Sequence, residues 1–288
     1  MGPETRSLQR LVPVGGRASV ARGGGARPLA SLAPRGVGGI LDAALEILRA
    51  RFWTCLALAV PLWVPVQVLG TLLPPDVVNT DTLALGLAQI GLSFAVQSVV
   101  VGLVCLVVYG ELQGRPASLG AVLAKVLRRA PALLLLTVVT ALLTGFGLAC
   151  CLVPGILAAW LLMVAPAALI LEGLGGRLAV RRSAFLMSRG FWRWLGVVVT
   201  QTCLVLPLSL ASMALSEPSA TELIEGHLGW PPGVYDTVSI LLSSSIMGLV
   251  TAFSAVVMTV FYLDSRVRHE GFDLQMRFER LSGGGQRS

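Results

Sequence analysis

The sequence predicts an all-α, polytopic membrane protein with six transmembrane helices in three pseudo-repeated units, each an amphipathic helix plus a hairpin. Three observations carry that prediction. First, only 13% of the 288 residues are charged and 55% are hydrophobic, with mean hydropathy +0.80. A soluble domain carries about 25% charge, so this chain has too little polar surface to cover a globule. Second, the apolar residues are grouped into uncharged runs of the length that crosses a bilayer core, about 20 residues. Third, all 22 Lys and Arg fall on one side of the map those runs define. The other side carries Asp76, Asp81, Glu217, Glu222, Glu225 and Asp236 and no base.

The elements follow in order. Residues 1–37 form a tail rich in Arg, Gly and Pro, with six Arg against Glu4. It lacks periodicity and is expected to be disordered. No apolar run of about 7–15 residues follows its Arg, so it does not read as a signal peptide; an organelle transit peptide and an early start codon are the other readings. Residues 38–51 repeat Ile40, Leu41, Ala44, Leu45 and Leu48 on one helical face, which predicts an amphipathic helix lying flat at the inner surface. The transmembrane domain spans 38–263, with spans near 52–73, 83–109, 131–150, 154–171, 191–215 and 237–262. The third and fourth spans form one apolar stretch, and Val153-Pro154-Gly155 is the expected turn between them. A basic tail, 264–288, closes the chain with five Arg.

The loops alternate in charge without exception, which places both termini in the cytoplasm by the positive-inside rule. Trp53, Trp192 and Trp194 fall at inner span boundaries, and Trp230 near an outer one. The net charge of +7 is spread along span flanks rather than over a soluble domain, so it predicts orientation and not nucleic-acid binding. Lys125 is the single lysine; every other base is Arg. With the excess of Ala, Gly, Val and Leu, this is the mark of a GC-rich bacterial gene, hence a bacterial inner membrane.

The three units begin with the basic segments 38–51, 117–130 and 176–190. Each inward span ends on an acid: Glu111, Glu172 and Asp264. A carboxylate at a helix C-terminus opposes the helix dipole, so each acid needs a cationic partner. Arg128, Arg129, Arg181, Arg182 and Arg266, with Arg115 and Arg268, are the nearby candidates. The expectation is an inner-face ring of ion pairs that clamps amphipathic segments to span ends. A proton or cation relay is the functional alternative, and the position of the acids at span ends rather than mid-membrane favours the clamp.

No charged residue falls near the middle of a predicted span, which argues against an ion-coupled transporter. Gln67, Gln89, Gln97, Gln201, Thr137, Thr140, Thr144 and Ser243–Ser245 enter spans, and most are expected to be inter-helix hydrogen-bonding groups rather than a substrate path. The stripes Ala141/Gly145/Ala149 and Ser244/Gly248/Ala252 are expected packing faces, within the bundle or in a dimer. Pro61, Pro65, Pro166 and Pro207 interrupt spans. Cys150-Cys151 are expected to be small packing residues rather than a vicinal disulfide. Glu222, Glu225 and His227 could ligate a metal, but the short helix predicted by the Ser219–Glu222 capping box accounts for them better. No catalytic signature is present, so neither an enzyme nor a cofactor is expected.

Three stretches carry a family resemblance: Val108-Tyr109-Gly110-Glu111 running into Pro116-Ala117-Ser118-Leu119; Pro154-Gly155 through Trp160 and Pro166 to Glu172, then Ala179-Val180-Arg181-Arg182-Ser183; and Phe261 through Leu274. Over about residues 38–276 the chain resembles the membrane domain attached to bacterial glycerophosphoryl diester phosphodiesterases, and related six-helix bacterial proteins. In that family the catalytic residues belong to a separate soluble domain. The resemblance therefore implies the membrane part alone, with no phosphodiesterase activity. The partners expected are membrane lipids, anionic ones above all, and a protein partner or a second copy of the chain.

Overall fold

The computed structural model describes residues 36–71, 80–112, 118–188, 190–215 and 233–270. The expectations for the Arg-rich tail before 36, the two acidic loops with His227 and Trp230, Arg115, and the tail after 270 lie outside those residues.

The described residues are helical, with no strand among them. Helix α1 (Val37–Ala50) ends at Arg51, whose φ of −122° and ψ of 24° break the helix before α2 (Phe52–Thr71). Helices α3 (Thr80–Leu112) and α4 (Leu119–Cys150) follow. Then come α5 (Leu152–Leu162), α6 (Ala165–Leu171) and α7 (Gly176–Met187). Helices α8 (Phe191–Leu215) and α9 (Val234–Glu270) complete the set. Six helical stretches are long and apolar enough to cross a membrane, the fourth being α5 and α6 together. The chain is a multi-pass membrane protein.

Helix α9 is the centre of the bundle. It packs against α1, α2, α3, α6, α7 and α8. In its most apolar window 72% of residues are buried, against 11% in α4 and in α8, which are peripheral. Helix α9 approaches α2 closely at Gly248, where a Cβ would sit 3.3 Å from Ala59 Cβ and from the Val60 nitrogen. The Ser244/Gly248/Ala252 stripe is thus a packing face inside the bundle. The Ala141/Gly145/Ala149 stripe is not, for Gly145 meets open space. The α4–α5 hairpin closes instead through Gly147 and Gly155, whose backbones approach so closely that a Cβ on Gly147 would lie 2.8 Å from Gly155 Cα.

The expected turn at Val153–Gly155 is found earlier, at Cys151, with extended φ and ψ of −164° and 132°. Pro154 falls in the first turn of α5, where a missing N–H breaks no intrahelical bond. Cys150 and Cys151 are exposed and unbonded to one another, so they are not packing residues within the described fold. Pro61, Pro65, Pro131 and Pro207 are accommodated inside α2, α4 and α8. Pro166 has the larger effect, since the fourth span breaks at Met163–Val164 just before it. The break leaves backbone carbonyls that need donors. Buried Ser183 of α7 supplies one, donating to the Leu161 carbonyl at 2.6 Å.

The amphipathic helix α1 buries Ile40, Leu41, Ala44 and Leu48 as the periodicity predicts, with Leu45 partly buried. It does not present that face to lipid. The face packs on α8 and α9, so α1 is a strut of the bundle rather than a surface float. The second basic segment is not a separate helix at all: it is the first three turns of α4. Thirty-two residues at about 1.5 Å each give roughly 48 Å, more than a bilayer core of about 30 Å, so α4 projects beyond the hydrocarbon. Helices α1 and α7 are each broken from the following span, and α4 is not.

Candidate functional site

The three span-end acids each meet arginine at one end of the bundle, hereafter the basic end. Glu172 caps α6 and is the most heavily partnered. Arg182 of α7 donates Nε to both carboxylate oxygens at 3.1 and 3.2 Å and Nη2 to Oε1 at 3.1 Å. Arg266 Nε of α9 lies 3.5 Å from Oε1, and the hydroxyl of fully buried Tyr262 donates to the same oxygen. The cations offset the unfavourable placement of a carboxylate at a helix C-terminus.

Arg129 of α4 works on the same turn without touching Glu172. Its Nη1 donates to the Leu169 and Leu174 carbonyls at 3.4 and 3.3 Å, satisfying one acceptor near the end of α6 and one in the turn that follows it. Gly173 makes this turn possible. Its φ is +72°, and a Cβ there would stand 3.2 Å from Arg129 Nη2.

Asp264 of α9 is buried and binds two arginines through one oxygen. Arg193 Nη1 of α8 reaches Oδ2 at 2.6 Å, and Arg268 Nε, one turn on in α9, reaches it at 2.9 Å. Arg193 also donates Nη2 to Ser265 Oγ at 3.1 Å and lies 4.8 Å from the centre of the Phe261 ring. Glu111 at the end of α3 pairs with Arg51 Nη2 at 2.5 Å. That contact ties the α1–α2 corner to the adjacent span end.

Of the expected set, then, Glu172, Arg182 and Arg266 are brought together, and Arg129 stands beside them on backbone carbonyls. Arg268 serves Asp264. Two arginines outside the expected candidates correct the rest: Arg51 holds Glu111, and Arg193 joins Arg268 on Asp264. Arg128 and Arg181 are exposed and take part in no described pair.

No family model, curated protein or solved structure matches the chain.

Arg51, Arg193 and Tyr262 are the participants that sequence reasoning missed. Each had a signal. Arg51 and Arg193 stand at the entrances of apolar runs, and Tyr262 precedes Asp264 by two positions. Trp192 is 80% exposed and Trp53 77%, as boundary residues are, but Trp194 is only 4% exposed. It turns inward and lies 5.7 Å from Phe191, so it is a core residue and not a surface anchor. Within the spans some of the expected polar groups join helices, Gln201 to Ser254 at 2.8 Å and Thr137 to Ser98 at 2.9 Å, as does Thr259 to Cys105 at 3.1 Å. Thr140, Thr144 and Ser244 do not, for their buried hydroxyls have no hydrogen-bond partner, and Ser245 donates within its own helix to the Leu241 carbonyl. Among the described residues no group of His, Cys, Asp or Glu has the makeup of a metal site.

Proposed function

We propose that this chain is a non-catalytic accessory or organising protein of a bacterial inner membrane, with both termini cytoplasmic, that holds anionic lipid or a partner protein at its basic end. One observation carries the reading: exposed apolar side chains and exposed bases interleave there. Leu119, Leu123 and Leu127 form an outward stripe on α4 beside exposed Lys125 and Arg128. Leu178 and Phe185 do the same on α7 beside Arg177 and Arg181. Such a surface suits the acyl–headgroup boundary of an anionic leaflet, where each nearby base contributes about 1 kcal/mol. The resemblance of residues 38–276 to phosphodiesterase-attached membrane domains fits the same role.

The fold also selects the variant that tests it. Arg129 and Arg182 serve the structure, so the bases to remove are Lys125, Arg128, Arg177 and Arg181, all exposed. The K125Q/R128Q/R177Q/R181Q protein is expected to fold normally and to retain less phosphatidylglycerol than wild type after detergent exchange. Equal retention contradicts the reading.

A second reading, a small lipid or amphiphile transporter, is favoured by the broken fourth span at Met163–Val164. Reconstituted vesicles that move a fluorescent phospholipid only when they contain the protein support it, and vesicles that move none count against it.

A further inference from the structure

The cysteines of the chain stand in three environments. Cys55 and Cys105 are buried. Cys203 is exposed, but it falls in the middle of the apolar helix α8, at the depth of the acyl chains. Cys150 and Cys151 are exposed at the turn between α4 and α5. Helix α4 starts at the basic end and is long enough to cross a bilayer, so this turn lies at the opposite face. We propose that Cys150 and Cys151 form a redox-active pair that closes a reversible disulfide within one chain, with a disulfide-bearing oxidant as its substrate. The proposal rests on the orientation given above, with the basic end cytoplasmic, so that the pair meets an oxidising compartment.

Adjacent cysteines are ordinarily poor partners. Neighbouring side chains point to opposite faces of a strand and stand about 100° apart around a helix. The turn removes that obstacle. The Cys151 amide still donates to the Gly147 carbonyl at 2.9 Å, so the peptide between the two cysteines keeps its helical orientation. Cys151 itself is extended, with φ of −164°. A helical ψ of about −42° at Cys150 followed by that φ brings the two Cβ atoms within roughly 30° of each other about the Cα–Cα line. Both sulfurs can therefore reach over one side of the turn. The flanks hold the turn in place, since the Gly147 and Gly155 backbones are in contact on either side of it. Closure follows thiol–disulfide exchange. One cysteine sulfur attacks the disulfide of the oxidant, and the second displaces the resulting mixed disulfide. The S–S bond of the oxidant breaks, the bond between Cys150 and Cys151 forms, and the oxidant leaves as two thiols that carry away the two protons and two electrons. Sulfurs on neighbouring residues meet at high effective concentration, so closure within a chain outruns pairing between chains. Consecutive Cα atoms lie about 3.8 Å apart, closer than the ~4.4–6.8 Å of ordinary disulfides, so the bond is strained and readily reduced. That makes the pair a switch rather than a staple.

The test exposes the full chain in detergent to oxidised glutathione, then alkylates it and weighs it intact and after proteolysis. Wild type is expected to lose both alkylatable thiols of the pair together, to become lighter by two hydrogens, and to regain both thiols with dithiothreitol. C150S and C151S are expected to stop at the glutathione adduct. A149C/C151S moves the pair wholly into α4, where neighbours stand about 100° apart, and is expected to close more slowly than wild type. Wild type that keeps both thiols free, stops at the adduct or joins two chains overturns the proposal. Closure of A149C/C151S as fast as wild type overturns the part assigned to the turn. Cells quenched in acid before alkylation test the compartment, and there the pair is expected to be blocked until reduced. Free thiols in cells, from a protein whose pair closes in detergent, overturn the outward placement and the orientation it rests on, while the geometry of the turn stands.

Discussion

Arg182 grips Glu172 across the turn between α6 and α7 with a forked guanidinium, donating Nε and Nη2 at 3.1–3.2 Å. The carboxylate stands at the negative end of α6, where only a cation makes it tolerable. R182Q is predicted to lower stability by about 1–3 kcal/mol, because Arg266 and Tyr262 still attend the acid. R181Q, one residue away and exposed, is predicted to shift it by less than about 0.5 kcal/mol. Thermal unfolding of the two variants side by side in one detergent decides, and equal midpoints sink the clamp.

Asp264 gives a larger expected loss. Its side chain is 5% exposed and faces two guanidinium groups. D264N leaves those cations adjacent with no anion between them, at a predicted cost of about 3 kcal/mol or more. The check is the fraction of monodisperse protein surviving a heat step, by size-exclusion chromatography. Survival like that of wild type means that Asp264 is dispensable.

Glycine substitution separates two environments. G173A places a Cβ on a residue with φ of +72°, beside Arg129, and is predicted to cost about 1–2 kcal/mol. G145A meets open space in a helix and is predicted to be neutral or slightly stabilising. A reversed order in differential scanning fluorimetry contradicts the described turn.

The broken fourth span makes a further prediction. S183A removes the donor to the Leu161 carbonyl at a buried helix break, which should cost about 1–3 kcal/mol. S183C, which keeps only a weak donor, should fall between. If S183A unfolds with wild type, the carbonyl has another donor.

Much of this architecture was legible in the sequence. Apolar runs mark the spans because a bilayer core demands about 20 residues without charge, and most of their ends move by three positions or fewer, but the third span begins at Leu119 rather than near 131 and the sixth runs on to His269 rather than ending near 262. The partners of the acids were less legible, for a geometric reason. Neighbours on a helix point about 100° apart. Arg128 and Arg129 read as a matched pair, yet one faces outward and the other reaches the α6–α7 turn. Arg181 and Arg182 divide in the same way. Trp192 and Trp194 lie on nearly opposite sides of α8, one exposed and one buried. Which neighbour faces inward depends on how helices cross, and that depends on contacts such as Gly248 on Ala59 that no local pattern announces. The lipid-facing role expected of α1 failed for the same cause: an amphipathic face does not say whether protein or lipid covers it.

Orientation has its own test. A single Cys placed within 217–235 of a Cys-free variant is predicted to react with a membrane-impermeant maleimide added to intact cells. A Cys placed beyond 270 is predicted to react only after lysis. The opposite pattern inverts the topology.

The central claim, that the basic end holds anionic lipid, is met most directly by native mass spectrometry of the wild-type protein released from gently extracted membranes. The prediction is a protein peak carrying bound anionic phospholipid in excess of its share of the extracted lipid. A bare protein peak, or bound lipid in the proportions of the bulk membrane, contradicts it.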